Sequence, residues 1–234
     1  MNVFTDALRQ AFQLLVSSDT TLFEITALSL RVSGTATLIA AVIALPLAAW
    51  VAQTTNPSRT PIVVVLNACM GLPPVIVGLT VYILLSRAGP LGALGWLFTV
   101  NGMIFAQVIL ITPIIAALAR QTLEDAHGEY RDLFVSLGLS RWKTLSTLLS
   151  ETRFSLFVLL LAGFGRAIAE VGAVMMVGGN IAGHTRVMTT AIALETSKGE
   201  LALALALGFV LIAIVLIVNG ATQFAQTYLR RRYV

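Results

Sequence analysis

Arg166 and Glu170 stand four residues apart in the run Gly163-Phe-Gly-Arg-Ala-Ile-Ala-Glu-Val-Gly172, and no other ionisable pair in the chain sits so deep in an apolar segment. At that spacing the two side chains share one face of a helix. Ionisable groups at bilayer depth cost at least about 2.5 kcal/mol each on insertion scales, so they face a bundle interior, pair, or mark a pathway. An arginine N-terminal to its glutamate is the weaker order for such a pair, which leaves room for partners on other helices. Two readings are open: a polar lock inside a bundle, or direct contact with a solute crossing the membrane. Gly165, Ala169 and Ala173, with Gly172 beside them, form a small-residue stripe that predicts close approach by a neighbouring helix.

Other chemistries lack their residues. There is no GxxxxGK[ST] phosphate loop, no HExxH and no GxSxG elbow. His127 and His184 are the only histidines and have no ligand spacing around them, and the lone cysteine, Cys69, excludes an internal disulfide or a cysteine metal cluster. We expect no metal and no cofactor in this chain, and energy for any active process must arrive from elsewhere. An intramembrane enzyme would need a nucleophile or base pair that is missing. An ion-coupled carrier stays open as an alternative, although inverted repeats are not visible and the charged island at 129–153 would then have no role.

The elements that must position these residues are membrane spans. The chain is 57% hydrophobic and 11% charged, against about 25% charged in soluble domains, and its mean hydropathy is +0.90. Five segments reach the roughly 20 apolar residues that a bilayer core demands: 31–52, 62–86, 98–119, 155–178 and 201–222. Residues 1–24 mix Phe4, Leu8 and Phe12 with Asp6, Arg9 and Gln13, which predicts an interfacial amphipathic segment rather than a span or a cleaved signal. The rest, 25–234, reads as one all-α transmembrane domain. Gly71-Leu72-Pro73-Pro74 must kink or break the second span, because two prolines remove two donors and push Leu72 out of helical geometry. Such backbone is tolerated only against protein or a water-filled cavity, so Pro73 and Pro74 join Arg166 and Glu170 as candidates for a path or bundle interior. Pro46 and Pro113 read as ordinary kinks. The fifth span has no polar side chain from Leu201 to Val218 and reads as peripheral.

Residues 129–153, EYRDLFVSLGLSRWKTLSTLLSETR, are the one long charged island. A short helix, a turn at Gly138 and a second helix would present a surface to a soluble partner. Nine basic residues (Arg59, Arg120, Arg131, Arg141, Lys143, Arg153 and Arg230 to Arg232) fall on one side of the five spans and five (Arg9, Arg31, Arg87, Arg186, Lys198) on the other. The positive-inside rule then predicts an external N-terminus, an internal C-terminus and a cytoplasmic island. The external loop from Asn180 to Gly199 is expected to carry a short solvated helix over 187–196, with Asn180, Arg186, Thr189 and Thr190 as donors for an anion or a docking protein.

The island also resembles the cytoplasmic signature of the permease subunits of ABC importers, Glu-Ala-Ala-x3-Gly-x9-Ile-x-Leu-Pro. Asp132 holds the glutamate position, Leu133 and Phe134 the alanines, Gly138 the glycine and Leu148 the isoleucine, while Ser150-Glu151 replaces Leu-Pro. Leu72 to Gly78, Arg166 to Gly172 and Asn180 to Arg186 are similar to stretches of the molybdate, sulfate and tungstate group, and Gly178 to Gly199 is most similar to the tungstate branch. The resemblance implies a five-span type I permease in the cell inner membrane, working as a homodimer by alternating access. It implies two cytoplasmic ATPase subunits that bind ATP and magnesium and dock on a coupling loop at about 120–153. It also implies an external oxyanion-binding protein, surrounding lipid and no nucleic acid. Molybdate or sulfate is the alternative cargo, and a non-transporting membrane anchor the alternative of another class.

Overall fold

The computed structural model describes residues 3–16, 20–54 and 59–233, and among them all regular structure is helical. The helices are α1 (Val3–Val16), α2 (Thr20–Ala52), α3 (Arg59–Met70), α4 (Pro74–Leu85), α5 (Val100–Ser136), α6 (Arg141–Glu151), α7 (Arg153–Ile168), α8 (Gly172–Gly178), α9 (Met188–Lys198) and α10 (Leu201–Tyr233). Three helices are each long and apolar enough to cross a membrane: α2, α5 and, in α10, Leu201–Phe224. Two bent pairs meet the same test, α3 with α4 at 101° and α6 with α7 at 67°. Five spans are thus reached only by counting broken ones, and the second pair, 141–168, is offset from the expected span 155–178 and takes in part of the charged island.

The central packing is α2 against α5. Ala36, Ala40, Ala44 and Ala48 repeat every four residues along α2 and are fully buried, opposite Ala106, Ile111, Ile115, Ala116 and Ala119 of α5. With alanine at each step the two backbones approach closely, and dispersion takes the place of the hydrophobic drive that lipid removes. Pro46 and Pro113 lie inside α2 and α5 without ending either helix, as expected for simple kinks.

Helices α4 and α8 close one end of this core, and glycine decides how. A β-carbon on Gly78 would lie 2.7 Å from Cα of Ala173, and one on Gly172 would lie 2.9 Å from Cγ2 of Val75. The small-residue stripe therefore works at Gly172 and Ala173. Gly165, expected to share in it, faces open space, because the helix ends at Ile168 and the stripe does not continue across the break.

Helix α10 packs on α1, α7 and α9, burying Ala204, Ala206 and Leu207, while Ile212, Leu216 and Ile217 remain exposed for lipid. Helix α1 lies against α10 with Ala11 buried. Thr20 to Glu24, assigned by sequence to the N-terminal segment, form the first turns of α2, and residues 17–19 of that segment lie outside the described residues. Gly78→Ala should lower the thermal unfolding temperature of the detergent-solubilised protein, at a cost of about 1–3 kcal/mol for overpacking against backbone. Gly34→Ala in α2, with nothing within 4 Å, should match or exceed the unsubstituted protein. Equal unfolding temperatures for the two variants would contradict the packing described.

Candidate functional site

The two breaks face each other. At the first, Gly71 N–H donates to Ala68 O (3.1 Å) and Leu72 N–H to Cys69 O (3.3 Å), closing α3. Pro73 then sits at the N-cap of α4 in extended geometry with Pro74 at N1, where neither residue needs a donor. At the second, α7 stops at Ile168 and α8 starts at Gly172, so residues 155–178 are not the single continuous helix that the sequence suggests. Gln107 of α5, buried, donates through Nε2 to Ala167 O at 3.0 Å, a carbonyl that also accepts Glu170 N–H at 3.1 Å in the turn that closes α7.

Glu170 lies in the break itself and is only 6% exposed. Arg166 Nη1 donates to its Oε2 at 2.8 Å, and Ala173 N–H donates to Oε1 at 3.4 Å. Its backbone carbonyl accepts Thr189 Oγ1 of α9 at 2.7 Å. The sequence order is the weaker one for this pair on an intact helix and leaves room for partners on other helices. The break turns the Glu170 carboxylate back to Arg166, so the two bind each other. Arg166 is 47% exposed and keeps donors free. Cys69, Met70 and Leu72 from the first break line one narrow crevice with Gln107, Arg166 and Glu170 from the second. Its free volume is about 10 Å³, room for about one water.

The loop after α8 is built as a fastener. Thr185 Oγ1 donates to Gly178 O (2.6 Å) and accepts from Ile181 N–H (3.0 Å), and Asn180 Nδ2 donates to Thr190 O (3.2 Å). Ser29 of α2 accepts Met188 N–H at 2.7 Å, tying the start of α9 to the core. Asn180, expected as a donor in the external loop, and Thr189 and Thr190, expected on a solvated helix, are therefore engaged internally, Thr189 and Thr190 in buried positions. α9 packs its threonine face against α2 and the break instead of offering it to solvent. Arg186 is the exception. Its contact to Glu195 is long, 3.7 Å, since Lys198 claims that carboxylate at 3.1 Å, and it lines a cavity of about 620 Å³ with Arg31, His184 and Glu24.

At the opposite end, the charged island is a helix-turn-helix as expected, but its first helix is the end of α5, which runs unbroken for 37 residues. Gly138 has φ +60°, and the bonds Leu139 N–H to Phe134 O and Gly138 N–H to Val135 O, both 3.1 Å, make a Schellman turn. No atom lies within 4 Å of where a β-carbon on Gly138 would stand, so the glycine is required for its backbone and not for lack of room. The residues aligned with the permease signature divide in two. Asp132 and Leu133 are exposed beside Val135, Leu137 and Trp142, the last 82% exposed. Phe134 and Leu148 are buried under the turn with Ala48, Leu123 and Leu156, so they hold the turn on the bundle and are not available to a partner.

Two breaks thus line one narrow crevice, and a charged helix-turn-helix with an exposed apolar patch ends α5 at the far side. Residues 29–234 match the family of binding-protein-dependent transport system inner membrane components. The chain belongs to that family. It is 40% identical over 226 residues to the tungstate uptake system permease protein of Peptoclostridium acidaminophilum, covering 97% of this chain and 99% of that one. A probable anion ABC transporter permease protein of Haloferax volcanii is 38% identical over 86% of this chain and 89% of its own. The tungstate permease protein of Campylobacter jejuni is 43% identical over 68% of this chain and 66% of its own.

Within this transport component, sequence reasoning missed Gln107 and Ser29, which satisfy backbone at the break and at α9. Gln107 was visible as an amide in the middle of the apolar span 98–119, where the other amide, Asn101, lies near the end. Ser29 carried no signal. Arg166→Ala should destabilise the solubilised protein more than Arg166→Ala/Glu170→Gln, because the single change strands a buried carboxylate. Strictly additive losses in thermal unfolding would show that the two residues act independently.

Proposed function

We propose that this chain is the permease subunit of an ATP-driven importer of tungstate in the cell inner membrane. The observation that carries the reading is the end-to-end match to a tungstate permease, joined to a fold in which the α3–α4 break and the α7–α8 break line one crevice. In this reading two copies pair about a twofold axis, each docks one ATPase subunit that holds ATP and magnesium, and an external binding protein delivers the anion. The chain itself carries no catalytic group and no cofactor.

The chemistry of each end supports that division. Leu133, Val135, Leu137 and Trp142 form an exposed apolar patch among Arg131, Asp132, Arg141 and Lys143, too polar for the bilayer and suited to a cleft on a soluble subunit. Its side of the membrane is then the cytoplasm, which agrees with the excess of basic residues there, and the loop at Asn180 to Arg186 faces outward. A tetrahedral dianion is far larger than the one-water crevice between the breaks. Passage therefore requires the bends to part, with the free donors of Arg166 near the moving anion and Glu170 keeping the site from binding it tightly. Tungstate and molybdate match in shape and charge, so discrimination falls to the binding protein.

Vesicles holding the permease and its ATPase, supplied in turn with tungstate-, molybdate- and sulfate-binding proteins, test the reading. Uptake and ATP hydrolysis should rise with the tungstate protein. Stimulation by the sulfate protein alone, or equal uptake without any binding protein, would contradict it. In the same vesicles Gly138→Val should abolish stimulated uptake while the protein still inserts, since a β-branched residue is badly strained at positive φ. Wild-type uptake by that variant would remove the coupling role of the turn.

A further inference from the structure

Helix α3 is held to the bundle in an unusual way. Leu66 is its only buried residue, and Val64 and Val65 are exposed. Its base is pinned by charge: Arg59, the first residue of α3, places Nη2 2.6 Å from Glu124 Oε1, and Arg120 Nη1 lies 2.6 Å from Glu124 Oε2. Both Arg120 and Glu124 belong to α5. The Arg120 contact is an aligned hydrogen bond, whereas the Arg59 contact is a close ion pair without that alignment. The top of α3 is the Gly71–Pro74 break, where Leu72 meets Arg166 across the crevice.

Glu124 lies twelve residues before Ser136, or about 18 Å along an unbroken helix from the Gly138 turn. α3, with its 12 residues, is a rod of similar length, about 18 Å. A displacement of the turn thus reaches the base of α3 through one rigid helix and one carboxylate, and reaches the first break through a second rigid helix. A partly exposed ion pair contributes little to stability, so stability alone does not account for two arginines converging on one carboxylate at this place.

We propose that Glu124 is a positioning residue for coupling: clasped between Arg59 and Arg120, it makes the broken span α3–α4 follow α5, so that movement at the ATPase end opens the crevice at the two breaks. The inference rests on the permease reading above and adds the joint through which drive reaches the gate.

Uptake and ATP hydrolysis measured together in vesicles with the complete transporter test it. Glu124→Gln keeps the size of the side chain and removes the clasp. It should leave ATP hydrolysis stimulated by the loaded binding protein, while anion imported per ATP falls about tenfold. Arg59→Gln should reproduce that loss and Arg59→Lys should restore most of the ratio. The purified variants should unfold at the temperature of the unsubstituted protein. A wild-type ratio for Glu124→Gln would overturn the assignment, and so would uptake and hydrolysis falling in step with lowered thermal stability, which would make Glu124 a structural anchor. No uptake by the unsubstituted complex would overturn the permease reading, and this inference with it.

Discussion

A helix interrupted inside hydrocarbon frees backbone donors and acceptors that lipid cannot satisfy, and each must find a partner within the protein. This chain has two such interruptions on the walls of one narrow crevice and satisfies them differently. Proline removes the donors at the first break, where Gly71 and Leu72 close α3 with short-range bonds. Glu170 gathers the second: its carboxylate takes Arg166 and the start of α8, and its carbonyl takes Thr189. Gln107 takes the carbonyl of Ala167. These partners come from α5, α7, α8 and α9, so the second break is a polar joint shared by four helices, while the first is closed by its own local bonds and meets that joint across the crevice.

The joint is fastened unevenly. On the side of α8 and α9, the loop bonds of Thr185 and Asn180 and the Ser29 contact hold the backbone closely, and Gly78 and Gly172 press α4 onto α8. On the other side α3 buries a single residue and hangs from a charged clasp. Local opening follows the weaker packing, so motion at the crevice is expected in α3 and not in α8. α5 touches both sides and reaches the Gly138 turn without a break, which makes it the element able to carry a displacement from one end of the bundle to the other.

Much of this was legible in the sequence. Hydropathy marks five spans because each must cover about 30 Å of hydrocarbon. Pro73 and Pro74 announce a break because their chemistry allows no other outcome, and Gly138 announces a turn. The break at Ala169 to Val171 was hidden, since Gly163 to Gly178 reads as part of one apolar span and the partners that hold the interruption, Arg166, Gln107 and Thr189, come together only in the fold. Thr189 and Thr190 were placed in solvent for the same reason: a threonine on a short helix gives no sign of which face is buried. The clasp of Arg59 on Glu124 joins residues 65 apart in the chain, and nothing local connects them.

The central claim is that the two breaks form a closed crevice which parts when the transporter is driven. Cys69 is the only thiol in the chain and lines that crevice beside Leu72 and Arg166, so it reports on the claim without any substitution. The measurement is the rate at which a small thiol reagent modifies Cys69 in the assembled transporter in vesicles, with the ATPase first nucleotide-free and then held with ATP bound. The account predicts a clear difference in rate between the two states, the faster one marking the parted bends. The same rate in both states would contradict it.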